Sequence, residues 1–225
     1  MRRAILLACD RQGWVGEVYR GNAIVASQYV HPVVFGYDPG ATAQPYDPQK
    51  ARELLAQAGF PNGFDLTIDY TSTQEFILPS LVADLARIGI RLTPRVFEWD
   101  ELMTRMREGK SALGLFAWQC STGDASDFLT TCVHSASESL GLGRDNFAHF
   151  SDPQVDALIE ASERELDGGQ RLRLLQEAQR LTLQKLPYLP LTDRWVFLGA
   201  SDRVEVVVRH DMWQWVAAYR WRVPK

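Results

Sequence analysis

The chain has 225 residues, 46% hydrophobic and 23% charged, with 24 basic against 28 acidic side chains and a formal net charge of −4. That length supports one large domain or two small ones with a real core, and the composition is that of an ordinary globular protein. The basic residues are scattered without a Lys/Arg block, which excludes an electrostatic footprint for nucleic acid, and no apolar run reaches the ~20 residues needed to cross a bilayer.

Met1-Arg2-Arg3 ahead of Ala4 to Cys9 imitates a signal start, but the apolar run is too short for an h-region and Asp10-Arg11 interrupts it. Residues 2–19 read as helix instead, with Ala4, Leu7, Ala8, Val15 and Val18 at helical spacing and a break near Asp10, which would cap the second half. Residues 21–44 are irregular, punctuated by His31-Pro32 and by Gly36-Tyr37-Asp38-Pro39-Gly40. The next helix is well marked: Asp47 caps it, Pro48 takes the first position, Ala51, Leu54, Leu55 and Ala58 form the apolar face, and Gly59 ends it.

A βαβαβ series follows. Leu66 to Tyr70 alternates as a strand, and residues 74–87 carry Phe76, Ile77, Leu81, Val82 and Leu85 at helical intervals. Residues 90–96 form the next strand, in which Pro94 suits an edge. Residues 99–107 make a helix closed by Gly109, and a third strand occupies 113–118. Strand–helix alternation on this scale predicts parallel pairing with right-handed crossovers. Beyond it, residues 127–133 read as a helical segment and 141–146 as a polar loop. Two long helices come next, Pro153 to Leu166 capped by Asp152, and Gly169 to Leu186. Pro187 to Leu191 breaks the pattern, and Trp195–Leu198 and Val204–Val208 read as strands. Trp213, Trp215, Tyr219 and Trp221 then crowd nine residues, a surface that calls for cover from a partner or from a missing part of the same chain.

The most informative stretch is 113–124, an apolar run that stops in a polar loop carrying Trp118, Gln119, Cys120, Ser121, Thr122 and Asp124. Ligands of open α/β sheets sit at the carboxyl ends of such strands, so this loop is a candidate binding surface; a packed Trp beside an ordinary turn fits the same residues. The topology brings the loop after Tyr70 to the same edge. There Ser72, Thr73 and Gln74 open a helix whose free N–H groups suit an anionic or polar group.

Three cysteines without a CxxC and four dispersed histidines offer no zinc-ligand spacing. Cys120 and Cys132 bracket the polar loop, which a disulfide would close in an oxidising compartment; two buried thiols that merely pack account for the pair equally well. No nucleophile–base pair, P-loop or Gly-rich dinucleotide motif is present, so neither an enzyme nor a cofactor is expected.

Beyond these local readings, several runs resemble one family. They are Arg3-Ala4 through Ala8-x-Asp10-Arg11; Tyr46-Asp47-Pro48-x-Lys50-Ala51-x-x-Leu54-Leu55-x-x-Ala58-Gly59; Gly63-Phe64-x-Leu66-Thr67; and Asp84-Leu85-x-x-Ile88-Gly89-Ile90. Glu98-Trp99, Gly109, Trp118, Asp152-Pro153-x-Val155-Asp156-x-Leu158-Ile159, the stretch 171–179 and Leu186-Pro187-Tyr188-Leu189-Pro190-Leu191 continue the match in order. The chain thus resembles the peptide/nickel-type extracytoplasmic solute-binding proteins of ABC transporters, over nearly its whole length.

The resemblance implies an α/β fold of the periplasmic binding protein type: a lobe with a mixed, largely parallel sheet flanked by helices. Residues 1–190 would form the C-terminal ligand-binding lobe, and 191–225 would return to, or pack on, a first lobe outside this chain. It further implies a monomeric periplasmic or lipid-anchored receptor whose signal segment is not in this chain. The receptor would bind a peptide-like or other small polar solute, without a metal of its own, and deliver it to an ABC permease. A sensory or chaperone-like module on the same fold is the alternative. The family's ligand loop maps onto Trp118 and the residues after it. Peptide-binding members carry an Asp three residues beyond that Trp to meet the ligand's α-ammonium group. Ser121 stands there in this chain, with Asp124 the nearest acid, so a neutral or anionic solute is expected. Nickel-chelate members place a His downstream of the same Trp, and His134 falls near that place.

Overall fold

The computed structural model describes residues 1–197, 199 and 201. The predicted first helix is two, α1 (Arg2–Ala8) and α2 (Arg11–Glu17). Cys9 is extended between them, and Asp10 caps α2 by accepting from Gly13 N at 2.9 Å. A short strand, β1 (Ala23–Val25), sits inside the stretch expected to be irregular. Helix α3 (Pro48–Gln57) has the expected cap, with Asp47 accepting from Lys50 N at 2.8 Å.

Strand β2 (Phe64–Tyr70) leads into a 3-10 helix, Ser72–Ile77, and then α4 (Leu78–Ala86). One continuous helix was expected over 74–87. Pro79 explains the difference: without an N–H it cannot bond the carbonyl of Glu75, so the α-helical ladder can only begin around it. Strand β3 (Ile90–Val96) and helix α5 (Trp99–Arg107) agree with the sequence reading.

The third strand, β4, is only Gly114–Leu115 rather than 113–118. Phe116 leaves the sheet to pack edge-on against Phe147 (5.4 Å) and Tyr188 (5.9 Å). The three strands lie in the order β3-β2-β4, all parallel, with Ile68 opposite Pro94 and Tyr70 opposite Leu115. Pro94 therefore stands on an edge strand, where a missing donor costs nothing in the ladder.

The segment expected as a helix over 127–133 is α6 (Ser126–Phe128) passing into a π-helix, Leu129–Val133. Helices α7 (Pro153–Arg164) and α8 (Gly168–Lys185) pack as a pair, with Asp152 and Asp167 as their caps. The strand expected at 195–198 lies earlier, as β5 (Thr192–Arg194), antiparallel to β1 with Ala23 opposite Arg194. The Val204–Val208 strand and the Trp213–Trp221 cluster fall outside the described residues.

Among the described residues two large apolar cores result, with a smaller third cluster of Leu102, Met103 and Met106 on α5. One holds α1, α3 and α4 against the sheet through Leu7, Leu55, Ile68, Leu85 and Ile90, among others. The second joins the loop after β4 to α7 and α8 through Phe128, Val133, Ile159 and Leu175. Polar locks fix their geometry. Fully buried Asp69, near the carboxyl end of β2, accepts from Arg95 Nε (2.7 Å), Arg105 Nε (3.1 Å) and Ser111 Oγ (2.7 Å). It thereby ties β2 to β3, to α5 and to the approach to β4. Arg11, also buried, donates to the carbonyls of Ala26 (3.1 Å), Pro190 (2.9 Å) and Gln44, pinning the irregular segment and the 187–191 break against α2. Among the described residues, no helix is long and apolar enough to cross a membrane.

Candidate ligand-binding site

Parallel pairing of β2 with β4 puts the loops after Tyr70 and Leu115 at one edge, as the alternation predicted. A cavity of about 830 Å³ opens there, between the two cores. The volume lies within the range of about 300–1,000 Å³ common for small-molecule sites. A second cavity, about 40 Å³ beside Arg11, is too small for a solute.

Of the residues expected at the site, Thr73, Gln74, Trp118, Gln119 and Cys120 line the large cavity; Ser72, Ser121, Thr122 and Asp124 do not. Trp118 is held from two sides. Its indole Nε1 donates to Asp127 Oδ1 at 2.9 Å, and its ring meets Phe128 edge-on at 5.9 Å. Ser121 Oγ donates to the other carboxylate oxygen of Asp127, at 3.0 Å. Ser121 therefore acts through Asp127, which braces the loop from the first turn of α6. At the facing loop, Thr71 Oγ1 and Thr73 Oγ1 are 2.8 Å apart and buried Gln74 forms part of the wall.

Asp124 is engaged by other groups of the protein. Arg171 on α8 grips both its carboxylate oxygens, and Ser126 N donates to Oδ1 at 2.9 Å. Burial alone would push this carboxyl up, but the Arg171 and Ser126 hydrogen bonds hold it below the usual carboxylate range. Its charge is already matched, and its work is to hold Ser126 at the start of α6 and tie the loop to α8.

The Cys120–Cys132 disulfide is corrected: both thiols are free and buried. Cys120 Sγ donates to the carbonyl of Asp124 at 3.0 Å, and Cys132 packs inside the second core. Burial pushes the Cys120 thiol up to about 11 and raises that of Cys132 as well. His134 does not line the cavity either. It is buried with Nδ1 2.7 Å from Ser135 O and Nε2 3.4 Å from Glu160 Oε1. No group of three His, Cys, Asp or Glu suited to a metal ion occurs among the described residues.

Several wall residues were not singled out from the sequence. Tyr29, Phe128 and Tyr188 form one aromatic cluster, with Tyr29 stacked on Phe128 at 5.1 Å and Tyr188 edge-on to Phe128 at 5.4 Å. The Tyr188 hydroxyl donates to Cys132 O at 2.9 Å, anchoring the cluster to the π-helix. Phe116, Phe147, His31 and Asp193 also line the cavity. Burial lowers the pKa of His31 and pushes the Asp193 carboxyl up to about 6. These residues come from positions far apart in the chain, so no local motif marks them.

This architecture recurs in known proteins. Residues 1–139 match the family model of bacterial extracellular solute-binding proteins, family 5 Middle. A probable di/tripeptide-binding protein 5 of Pseudomonas aeruginosa is 34% identical over 212 residues, covering 91% of this chain and 39% of its own. Heme-binding protein A of Haemophilus influenzae is 29% identical over 216 residues, covering 93% and 39%. The chain thus spans about two fifths of the length of these relatives. Among solved structures, the periplasmic binding protein DppA of Helicobacter pylori in complex with peptide STSA superposes with a TM-score of 0.86. It is 27% identical, and the match covers 100% of this chain and 44% of that one. The fold is therefore the periplasmic binding protein type, and the chain belongs to the bacterial extracellular solute-binding proteins, family 5.

Proposed function

We propose that this chain supplies the ligand-binding lobe of an extracytoplasmic receptor that captures a peptide-like or other small polar solute and hands it to an ABC permease. Residues 1–190 carry that lobe; 191–225 serve a first lobe, with β5 on β1 as the seam. The observation that carries the reading is the cavity at the carboxyl ends of β2 and β4, walled by a Trp118 that Asp127 holds in place. Trp118 offers a stacking surface, Gln119, Cys120, Thr73 and Gln74 line the polar side, and Tyr29, Phe116 and Tyr188 supply an apolar wall. A second lobe closing over this wall would bury the solute. The proposed work is binding without turnover, which the relatives' names as binding proteins support.

The relatives' names support a peptide-like solute, since several are called di/tripeptide-binding proteins. The test is native mass spectrometry of the whole protein, isolated without added solute. The expected result is one peptide or small polar molecule per protein, released on denaturation and depleted in Trp118→Ala. Turnover of a substrate by the pure protein, with no stably carried solute, would refute the reading.

A further inference from the structure

We propose that buried Arg11 and the small cavity beside it form a binding site for a monatomic anion of the chloride class, set behind the wall of the large cavity. Such an anion would bind whatever solute the protein carries in front of it.

Arg11 is only 3% exposed. Its Nη1 donates to the carbonyls of Ala26 (3.1 Å) and Pro190 (2.9 Å), and its Nη2 to the carbonyl of Gln44. A guanidinium carries five N–H donors, so Nε and one Nη2 hydrogen are left without an acceptor among the described residues. Nor does any Asp or Glu among them pair with the charge. Asp10, next in the chain, gives its carboxylate to Gly13 N, and Asp84 serves Asp10 N, Trp14 Nε1 and Arg87. The titratable neighbour whose charge reaches Arg11 is Cys9, and burial pushes that thiol up to about 12, which keeps it neutral.

Three carbonyls satisfy hydrogen bonds but leave a whole positive charge buried, a cost that a counter-ion removes. The cavity beside Arg11 has about 40 Å³, where one water needs roughly 10–15 Å³. It therefore admits a halide with a water, and a phosphate is too large. Arg11 is the sole charged residue of its lining; Ser27 and Thr42 add hydroxyls and Gln44 an amide. Leu6, Leu183 and Leu186 complete the lining, and their low polarity strengthens the attraction between ion and guanidinium. Thr42 and Gln44 are exposed and form a mouth through which the ion exchanges. Ala26 and Pro190 line both cavities, so an anion held here would steady the wall against which the solute rests.

The test uses the whole protein. Crystals soaked in sodium bromide should show an anomalous peak within hydrogen-bonding reach of the Arg11 guanidinium. In solution, gluconate is too large for the cavity. Replacing it by chloride at about 0.15 M total salt should raise Tm by roughly 2–4 °C, as a ligand bound only to the folded state does. Arg11→Met keeps the apolar stem and deletes the charge, and it should lose both the peak and the rise. If that variant fails to fold, the bromide map and the salt comparison on wild type decide. Water beside Arg11 in place of bromide, an equal wild-type Tm in the two salts, or a chloride-dependent rise that survives in Arg11→Met overturns the anion site. Each of these outcomes leaves the solute-binding reading standing.

Discussion

The bracing of Trp118 by Asp127 can be tested quantitatively. Asp127→Ala removes the acceptor of two hydrogen bonds, 2.9 Å to Trp118 Nε1 and 3.0 Å to Ser121 Oγ. Bonds to a charged acceptor contribute about 1.5–3 kcal/mol each. Both donors are only half-buried, so water replaces part of the loss and the lower end of that range applies to each. The expected destabilisation is about 3 kcal/mol, which for a protein of this size lowers Tm by roughly 6–12 °C. Trp118→Phe keeps the ring and deletes only the N–H. A double-mutant cycle between the two substitutions, followed by denaturant unfolding of the whole protein, should give a coupling of about 1 kcal/mol. Solute affinity should fall in Asp127→Ala even though Asp127 does not touch the cavity, because the indole loses its fixed orientation. A coupling below about 0.3 kcal/mol, within the additivity of independent sites, would show that Asp127 does not hold Trp118 and would refute the reasoning.

Three further outcomes follow from the same geometry. Thiol titration should find three free cysteines after denaturation without reductant, and almost none in the native protein at pH 8, because all three are buried and burial pushes Cys9 up to about 12 and Cys120 to about 11; a single free thiol on denaturation would restore the disulfide. Asp193, raised from 3.8 to about 6, contributes stability that is fully present below pH 3.8 and is lost as pH rises through 6; the wild-type minus Asp193→Asn difference in unfolding free energy should therefore fall across that window, and a flat difference would contradict its burial. The 225-residue chain alone should bind solutes weakly, since one lobe leaves its cavity open to water; submicromolar affinity by calorimetry would argue against a second lobe completing the site.

What the sequence determined by itself was whatever depends on neighbours in the chain. Asp47-Pro48 and Asp152-Pro153 announce helix starts because cap and first turn lie within three residues, and both caps form as read. The strand–helix alternation over 64–115 dictated parallel pairing, and with it the edge at which the Trp118 and Thr73 loops meet. Where a local pattern met a nonlocal demand, the tertiary structure prevailed: Phe116 reads as strand but turns away to Phe147 and Tyr188, 31 and 72 residues later in the numbering. The assignment of charges was likewise beyond the sequence. Asp124, Asp127 and Asp193 are chemically identical carboxylates. Only packing gives the first to Arg171, 47 residues along, gives the second to Trp118, and leaves the third half-buried on β5. Short-range hydrogen bonds and periodicity are written in consecutive residues. A carboxylate's role is set by what folding brings within about 3 Å of it, and that is decided in three dimensions.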